Sequence, residues 1–192
     1  MQSTWGYIYF FGLGVKEDRN RAMELYIKGC DEGDLRMCRT LGLMYYNGFD
    51  VYKNNFKTIE FYTKACKGGY TYTCYDLAWM YRRGEGVKQD KVFAVKLYTV
   101  SCNGGDAYAC FELGEMYRQG EGANKDEATA IKFYTRACDN KSSLCIRFGM
   151  LYENGKGIKQ DKRKAKELYG KACDFENEEG CKNYARLNEA GY

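Results

Sequence analysis

Tyr75–Cys110 reads YDLAWMYRRGEGVKQDKVFAVKLYTVSCNGGDAYAC, and the rest of the chain is this stretch repeated, varied or cut short. One step back lies Arg39–Cys74 and two steps back Ser3–Cys38. Forward steps give Phe111–Cys145 and Ile146–Cys181, and Lys182–Tyr192 opens one more copy. The unit is 36 residues long, and 35 in the copy ending at Cys145. A fixed period in this range marks stacked repeats, in which each unit buries its apolar face against its neighbours.

Each unit predicts two helices. In the first, from Tyr75 to Arg83, Leu77, Ala78, Met80 and Tyr81 cluster on one side of the helical wheel. The place of Ala78 is always small: Gly6, Gly42, Gly114, Gly149 and Ala185 are its counterparts. Glycine inside a helix costs about 1 kcal/mol relative to alanine, so its recurrence predicts that a neighbouring helix comes close there. Gly84, with Gly12, Gly48, Gly120 and Gly155, ends this helix as a C-cap. Gly86, with Gly14, Gly122 and Gly157, follows in a tight loop. Asp90 and its counterparts Asp18, Asn54, Asp126 and Asp161 then read as N-caps of the second helix. That helix presents Ala94, Leu97, Tyr98 and Ser101 as a core-facing stripe.

The ten cysteines fall into pairs that bracket the turn from one repeat to the next: Cys30 and Cys38, Cys66 and Cys74, Cys102 and Cys110, Cys138 and Cys145, Cys173 and Cys181. Spacing alone rarely settles a connectivity, but a pair flanking a reversal between antiparallel helices favours a local bridge. The rival is zinc, whose paired ligands usually stand two to four residues apart and often include His. This chain has no His, so disulfides are expected and no metal.

A helix, a Gly-x-Gly loop, an acidic cap and a second helix ending in Ala-Cys-x7-Cys together resemble the Sel-like repeat. More narrowly they resemble the Helicobacter cysteine-rich proteins, a secreted bacterial family of disulfide-stapled, tetratricopeptide-like repeats. The resemblance covers the chain from about Ser3 to its end. Departures are local: Asp50 in place of the second loop glycine, Thr58 in place of the small Ala of the second helix, and the shortened turn before Cys145. The expected fold is all-α, a right-handed superhelical α/α solenoid. It forms a single repeat domain over 1–192 with repeats at 3–38, 39–74, 75–110, 111–145 and 146–181 and a partial helix at 182–192.

Composition suits that class and removes others. Charged residues make up 29% and the net charge is +4 with both signs interleaved, so no basic run points to nucleic acid. No stretch approaches the roughly 20 apolar residues of a membrane span. Met1–Phe11 has no basic start and is interrupted by Gly6, unlike a secretory leader. Paired cysteines nevertheless imply an oxidising compartment. A secreted or periplasmic protein is therefore expected, with a leader preceding Met1. Phe10 and Phe11, where later copies carry Arg82 and Arg83, read either as a greasy N-terminal face or as a surface covered by further chain or a partner. Lys159, Lys162, Arg163, Lys164 and Lys166 read as a solvated face, and Asn188 as part of a polar terminal cap.

Variable positions on the other side of the first helix point to function. Positions 75, 79 and 82 lie together at i, i+4 and i+7. They hold Tyr75, Trp79 and Arg82, and their counterparts include Tyr7, Leu43, Tyr46, Phe111, Glu115, Arg118 and Met150. In tetratricopeptide-like solenoids first helices line the concave face, so the resemblance puts this stripe in a groove. Aromatic and Arg side chains are common interface anchors, and Arg82 and Arg118 suit a carboxylate. The residue at 75 has a second reading, as packing between repeats. The expected function is a monomeric scaffold for a protein or peptide ligand, without cofactor. The resemblance implies an alternative, a penicillin-binding protein with weak β-lactamase activity on a β-lactam or peptidoglycan fragment. A disulfide-rich assembly factor of another oxidising compartment is a third reading. No catalytic motif accompanies the second. His chemistry is absent, and Ser-x-x-Lys does not occur, Thr129 to Lys132 being the nearest approach. Gly84-Glu85-Gly86 follows a helix and lacks the Lys-Ser/Thr of a phosphate loop.

Overall fold

The computed structural model describes residues 2–49 and 51–192, with side chains from residue 4 onward. Asp50 and the Ser3 side chain, both read in the sequence, lie outside the described residues. Those residues form eleven helices and no strand. They fall into two compact units, residues 1–90 and 91–192, with the boundary inside the 75–110 repeat. The first contains α1 (Gln2–Phe11), α2 (Arg19–Asp31), α3 (Leu35–Asn47), α4 (Asn55–Lys67) and α5 (Tyr72–Arg83). The second contains α6 (Lys91–Asn103), α7 (Ala107–Gln119), α8 (Glu127–Asn140), α9 (Ser142–Asn154), α10 (Lys162–Asp174) and α11 (Glu178–Glu189). Among the described residues no helix is long and apolar enough to cross a membrane.

Four of the second-helix caps are where the repeat placed them. Asp18, Asn54, Asp126 and Asp161 accept hydrogen bonds from the backbone N–H groups of Arg21, Lys57, Thr129 and Lys164. Each satisfies one of the donors that a helix start leaves open. Gly48, Gly84, Gly120 and Gly155 end the first helices at φ between 64° and 75°, a conformation that glycine adopts without cost. A backbone bond then closes each described loop. The N–H of Asp18, Asn54, Asp90, Asp126 and Asp161 donates to the carbonyl of Tyr9, Tyr45, Tyr81, Tyr117 and Tyr152 at 2.9–3.0 Å.

The first helices start earlier than the sequence suggested. α5 begins at Tyr72 and α7 at Ala107, so Cys74 and Cys110 lie within the first turn instead of before it. Caps overlooked in the sequence explain part of the shift. Asp34 accepts from the Arg36 N–H at 3.1 Å, and Asp106 accepts from those of Tyr108 and Ala109 at 2.9 and 3.3 Å. The shortened turn is a single extended residue, Lys141, where other copies use left-handed Gly33, Gly69 and Gly105.

Ala94, Leu97, Tyr98 and Ser101 are buried, as their stripe predicted, and so are Leu77, Ala78 and Met80. The close approach predicted at the small position is a ring on a glycine. A Cβ on Gly6, Gly114 or Gly149 would come within 2.5–2.7 Å of the ring of Tyr26, Tyr134 or Tyr169 from the partner helix of the same repeat. All five cysteine pairs are bridged as expected, with Cα–Cα distances of 4.4–5.0 Å, and no described cysteine is free.

Candidate functional site

In the first unit, four stripe residues converge. Leu43 and Tyr46 lie one turn apart on α3, and Tyr75 and Trp79 one turn apart on α5. Together with Tyr62 of α4 and with Asp76 and Met80 they line an open cavity of about 240 Å³. Tyr46 and Trp79 meet edge to face with ring centroids 6.3 Å apart, a favoured aromatic geometry. Tyr62, 2% exposed, reaches the cavity across Gly42. Burial first, and then the Asp76 carboxylate, raises the Tyr62 phenol above its ordinary pKa, so it stays a neutral hydroxyl. Tyr46 is raised by burial and by the neighbouring Glu85 carboxylate.

Charged groups surround these rings. Lys53 Nζ stands 5.0 Å from the Tyr46 ring centroid and 3.6 Å from Glu85 Oε1. The Arg83 guanidinium lies 4.8 Å from the Trp79 ring centroid, and Arg39 Nε lies 3.3 Å from Asp76 Oδ2. Arg82 is partly buried on the same helix, and its carbonyl accepts from Gln89 Nε2 at 2.8 Å. Tyr7 lines a different cavity, of about 430 Å³, with Phe10, Phe11, Tyr26, Met37 and Met44 among its walls.

The second unit departs from the stripe reading. Phe111 is 2% exposed, its ring centroid 4.9 Å from that of Tyr134, so it stands in the core and not on a groove. The counterpart of position 75 thus packs between helices here, while Tyr75 itself lines the cavity. Arg118 is already engaged. It pairs with Glu115 at 2.6 Å, its Nε lies 3.2 Å from Tyr134 Oη, and its Nη1 donates to the Lys156 carbonyl at 3.3 Å. Glu115 also accepts from Tyr134 Oη at 2.6 Å and from Gln119 at 2.7 Å. Burial, the largest single influence, pushes the Glu115 carboxyl up, but hydrogen bonds from Arg118, Tyr134 and Gln119 together hold it below its ordinary range. These two residues tie α7 to α8 and leave little with which to grip a ligand carboxylate. Reading each stripe residue by itself missed that a Glu three places before an Arg pairs with it. Met150 remains exposed on α9.

Asp76, Tyr62 and Met80 were not singled out for the cavity, nor Arg39, Lys53, Glu85 and Arg83 for its surroundings. Asp76 and Met80 adjoin stripe positions on α5, and a wider helical face would have included them. Tyr62 was hidden by its core role, and Lys53 by its place in a loop. Among the described residues no group of three or more His, Cys, Asp or Glu side chains could hold a metal ion.

The Sel1 repeat model matches residues 4–34, 37–70, 71–106, 107–142 and 144–174. Among solved structures, a protective antigen of uropathogenic Escherichia coli strains with an SLR fold is 26% identical, with a TM-score of 0.83; the match covers 100% of this chain and 41% of that one. This chain therefore spans about two fifths of that relative's length. A Sel1 repeat protein from Oxalobacter formigenes is 25% identical over 90% of this chain and 72% of its own, with a TM-score of 0.82. Cysteine rich protein B of Helicobacter pylori is 28% identical over 68% of this chain and 95% of its own, with a TM-score of 0.53. No curated protein matches the chain. With five matched repeats covering most of its length, the chain belongs to the Sel1 repeat family.

Proposed function

We propose that this protein is a disulfide-stapled repeat scaffold of an oxidising compartment, secreted or periplasmic, that holds a protein or peptide partner on the first-helix face of residues 1–90. The observation carrying this reading is the convergence of Leu43, Tyr46, Tyr75 and Trp79, from two successive repeats, on one open cavity. Trp79 takes a place filled elsewhere by Tyr7, Leu43, Glu115 and Met150, so packing does not demand an indole there. A large ring at a structurally free position beside a cavity suits an interface anchor. Sel1 repeats typically mediate protein interaction, and five bridges suit a compartment where thiols are oxidised. The likeness to the Helicobacter cysteine rich protein supports the same setting.

The test is selection of a random peptide library on the oxidised protein, followed by titration of the winning sequences. Selected peptides should bind the wild type and lose roughly 30-fold or more in affinity on Trp79→Ala, the hot-spot range. Winners that bind Trp79→Ala as well as wild type would remove this face from the reading.

A further inference from the structure

The Trp79 cavity has an aromatic floor and a surround of mixed charge, and the pairing within that surround narrows the ligand. A volume of about 240 Å³ lies below the roughly 300–1,000 Å³ of pockets that enclose drug-sized molecules, so it suits one side chain. Aromatic walls beside a carboxylate are also what a bound cation seeks. Here Tyr46, Trp79 and Asp76 already have a cation from the chain itself. Lys53 stands over Tyr46, Arg83 lies over Trp79, and Arg39 pairs with Asp76. A cationic ligand would find those attractions taken and three like charges nearby.

An anionic ligand meets the opposite balance. Arg39 pairs with Asp76 and Lys53 with Glu85, while the Arg83 guanidinium lies on the Trp79 ring. The partnering is uneven. Arg39 and Lys53 hold those two carboxylates, whereas exposed Arg83 lies on Trp79 with no carboxylate partner among the described residues. A guanidinium fixed against a ring keeps its N–H edge free for a carboxylate.

Resting on the reading that this face holds a peptide, we propose that the ligand is an acidic peptide segment with one large apolar side chain. That side chain fills the cavity walled by Leu43, Tyr46, Tyr75 and Trp79. A flanking Asp or Glu side chain pairs with Arg83.

Titration calorimetry on the intact, oxidised protein tests this with three acetylated and amidated peptides, so that any carboxylate comes from a side chain. One has a single Phe flanked by Asp residues, one has Lys in place of Asp, and one has Ala in place of Phe. The acidic Phe peptide should bind at least about tenfold more tightly than either control, and its affinity should fall as salt rises. Arg83→Gln should weaken the acidic peptide about tenfold, leave the melting temperature unchanged and not weaken the Lys peptide. If the Lys peptide binds as tightly as the Asp peptide and Trp79→Ala abolishes both, the face is a peptide site and the acidic ligand class is wrong. If no peptide saturates up to about 1 mM, the ligand class also falls, and the library selection decides the face by itself. An unaffected Arg83→Gln removes Arg83 from the site.

Discussion

Gly114 lies directly beneath the ring of Tyr134. A Cβ at that position would stand 2.5 Å from Cε1 and 2.6 Å from Cδ1. The ring has little freedom to move aside. Its hydroxyl is bonded to Glu115, and Phe111 and Phe148 flank it at centroid distances of 4.9 and 5.2 Å. Gly114→Ala gains up to about 1 kcal/mol in helix propensity but overpacks the core at about 1–3 kcal/mol. We expect a net loss of roughly 1 kcal/mol, read as a lower urea midpoint at unchanged slope. A raised midpoint would show that the two helices separate easily.

The same tyrosine makes stability depend on acid. Glu115 has a depressed carboxyl pKa in the fold. Its pairing therefore stabilises fully above the unfolded value of about 4.3 and is lost as pH falls through the lower folded value. Glu115→Gln should thus be less stable than wild type at pH 7, and the gap should narrow below about pH 4. Denaturant titrations of both proteins across that range check it; a gap that stays constant into acid would disprove the linkage.

The five bridges differ in access. Cys30, Cys38, Cys74, Cys102, Cys110 and Cys145 are 0% exposed and Cys138 is 1% exposed, whereas Cys173 and Cys181 are both only partly buried. Brief treatment with dithiothreitol should open Cys173–Cys181 first, as mass mapping of alkylated peptides would record. A buried pair opening earlier would contradict this. Each loop spans seven or eight residues. Removing Cys102 and Cys110 together by alanine should therefore cost about 2.5 kcal/mol on chain-entropy grounds.

Two aromatic residues should part company on truncation. Tyr98 is 0% exposed in the second-helix stripe, so Tyr98→Ala should cost about 3–5 kcal/mol, the range for a large buried ring. Trp79 is only partly buried and loses mainly its edge contact with Tyr46 and the Arg83 stack. Trp79→Ala should melt far closer to wild type. A reversed order would mean that the two faces of the repeat have been exchanged.

Glu176 sits at φ 59°, in the turn place where other copies have Gly33, Gly69 and Gly105. A side chain there costs about 1–2 kcal/mol, partly offset because glycine loses more freedom on folding. Glu176→Gly should therefore stabilise slightly, by up to about 1 kcal/mol. A clear loss in a thermal melt would argue against the strained turn.

Periodicity made the helices, the caps at Asp18, Asn54, Asp126 and Asp161, the buried stripe and every disulfide legible, because each is a local or repeated signal. The start of the first helices was not legible, because Cys74 and Cys110 were read as punctuation although they lie within a turn begun earlier. The cavity was half legible. Leu43, Tyr46, Tyr75 and Trp79 came from the stripe, but Tyr62 and Lys53 arrive from other elements. Phe111 and Arg118 misled for a related reason. Equivalent stripe positions turn inward or pair off according to the side chains they carry: Phe111 packs on Tyr134, and Arg118 pairs with Glu115, which stands in the place of Trp79.

The recurring amide-to-carbonyl clasp, from Asp18 to Tyr9 through Asp161 to Tyr152, has a hereditary consequence. Main-chain atoms and the capping glycine close the hairpin, so the exposed side chains between the two anchor points carry little architectural duty. Phe49 and Tyr52, 60% and 97% exposed in one such hairpin, stand where another copy has Glu85 and Lys88. Mutation can rewrite these tips one copy at a time without unsettling the scaffold beneath. Duplication of a unit then supplies both a new tip and the frame that tolerates its change.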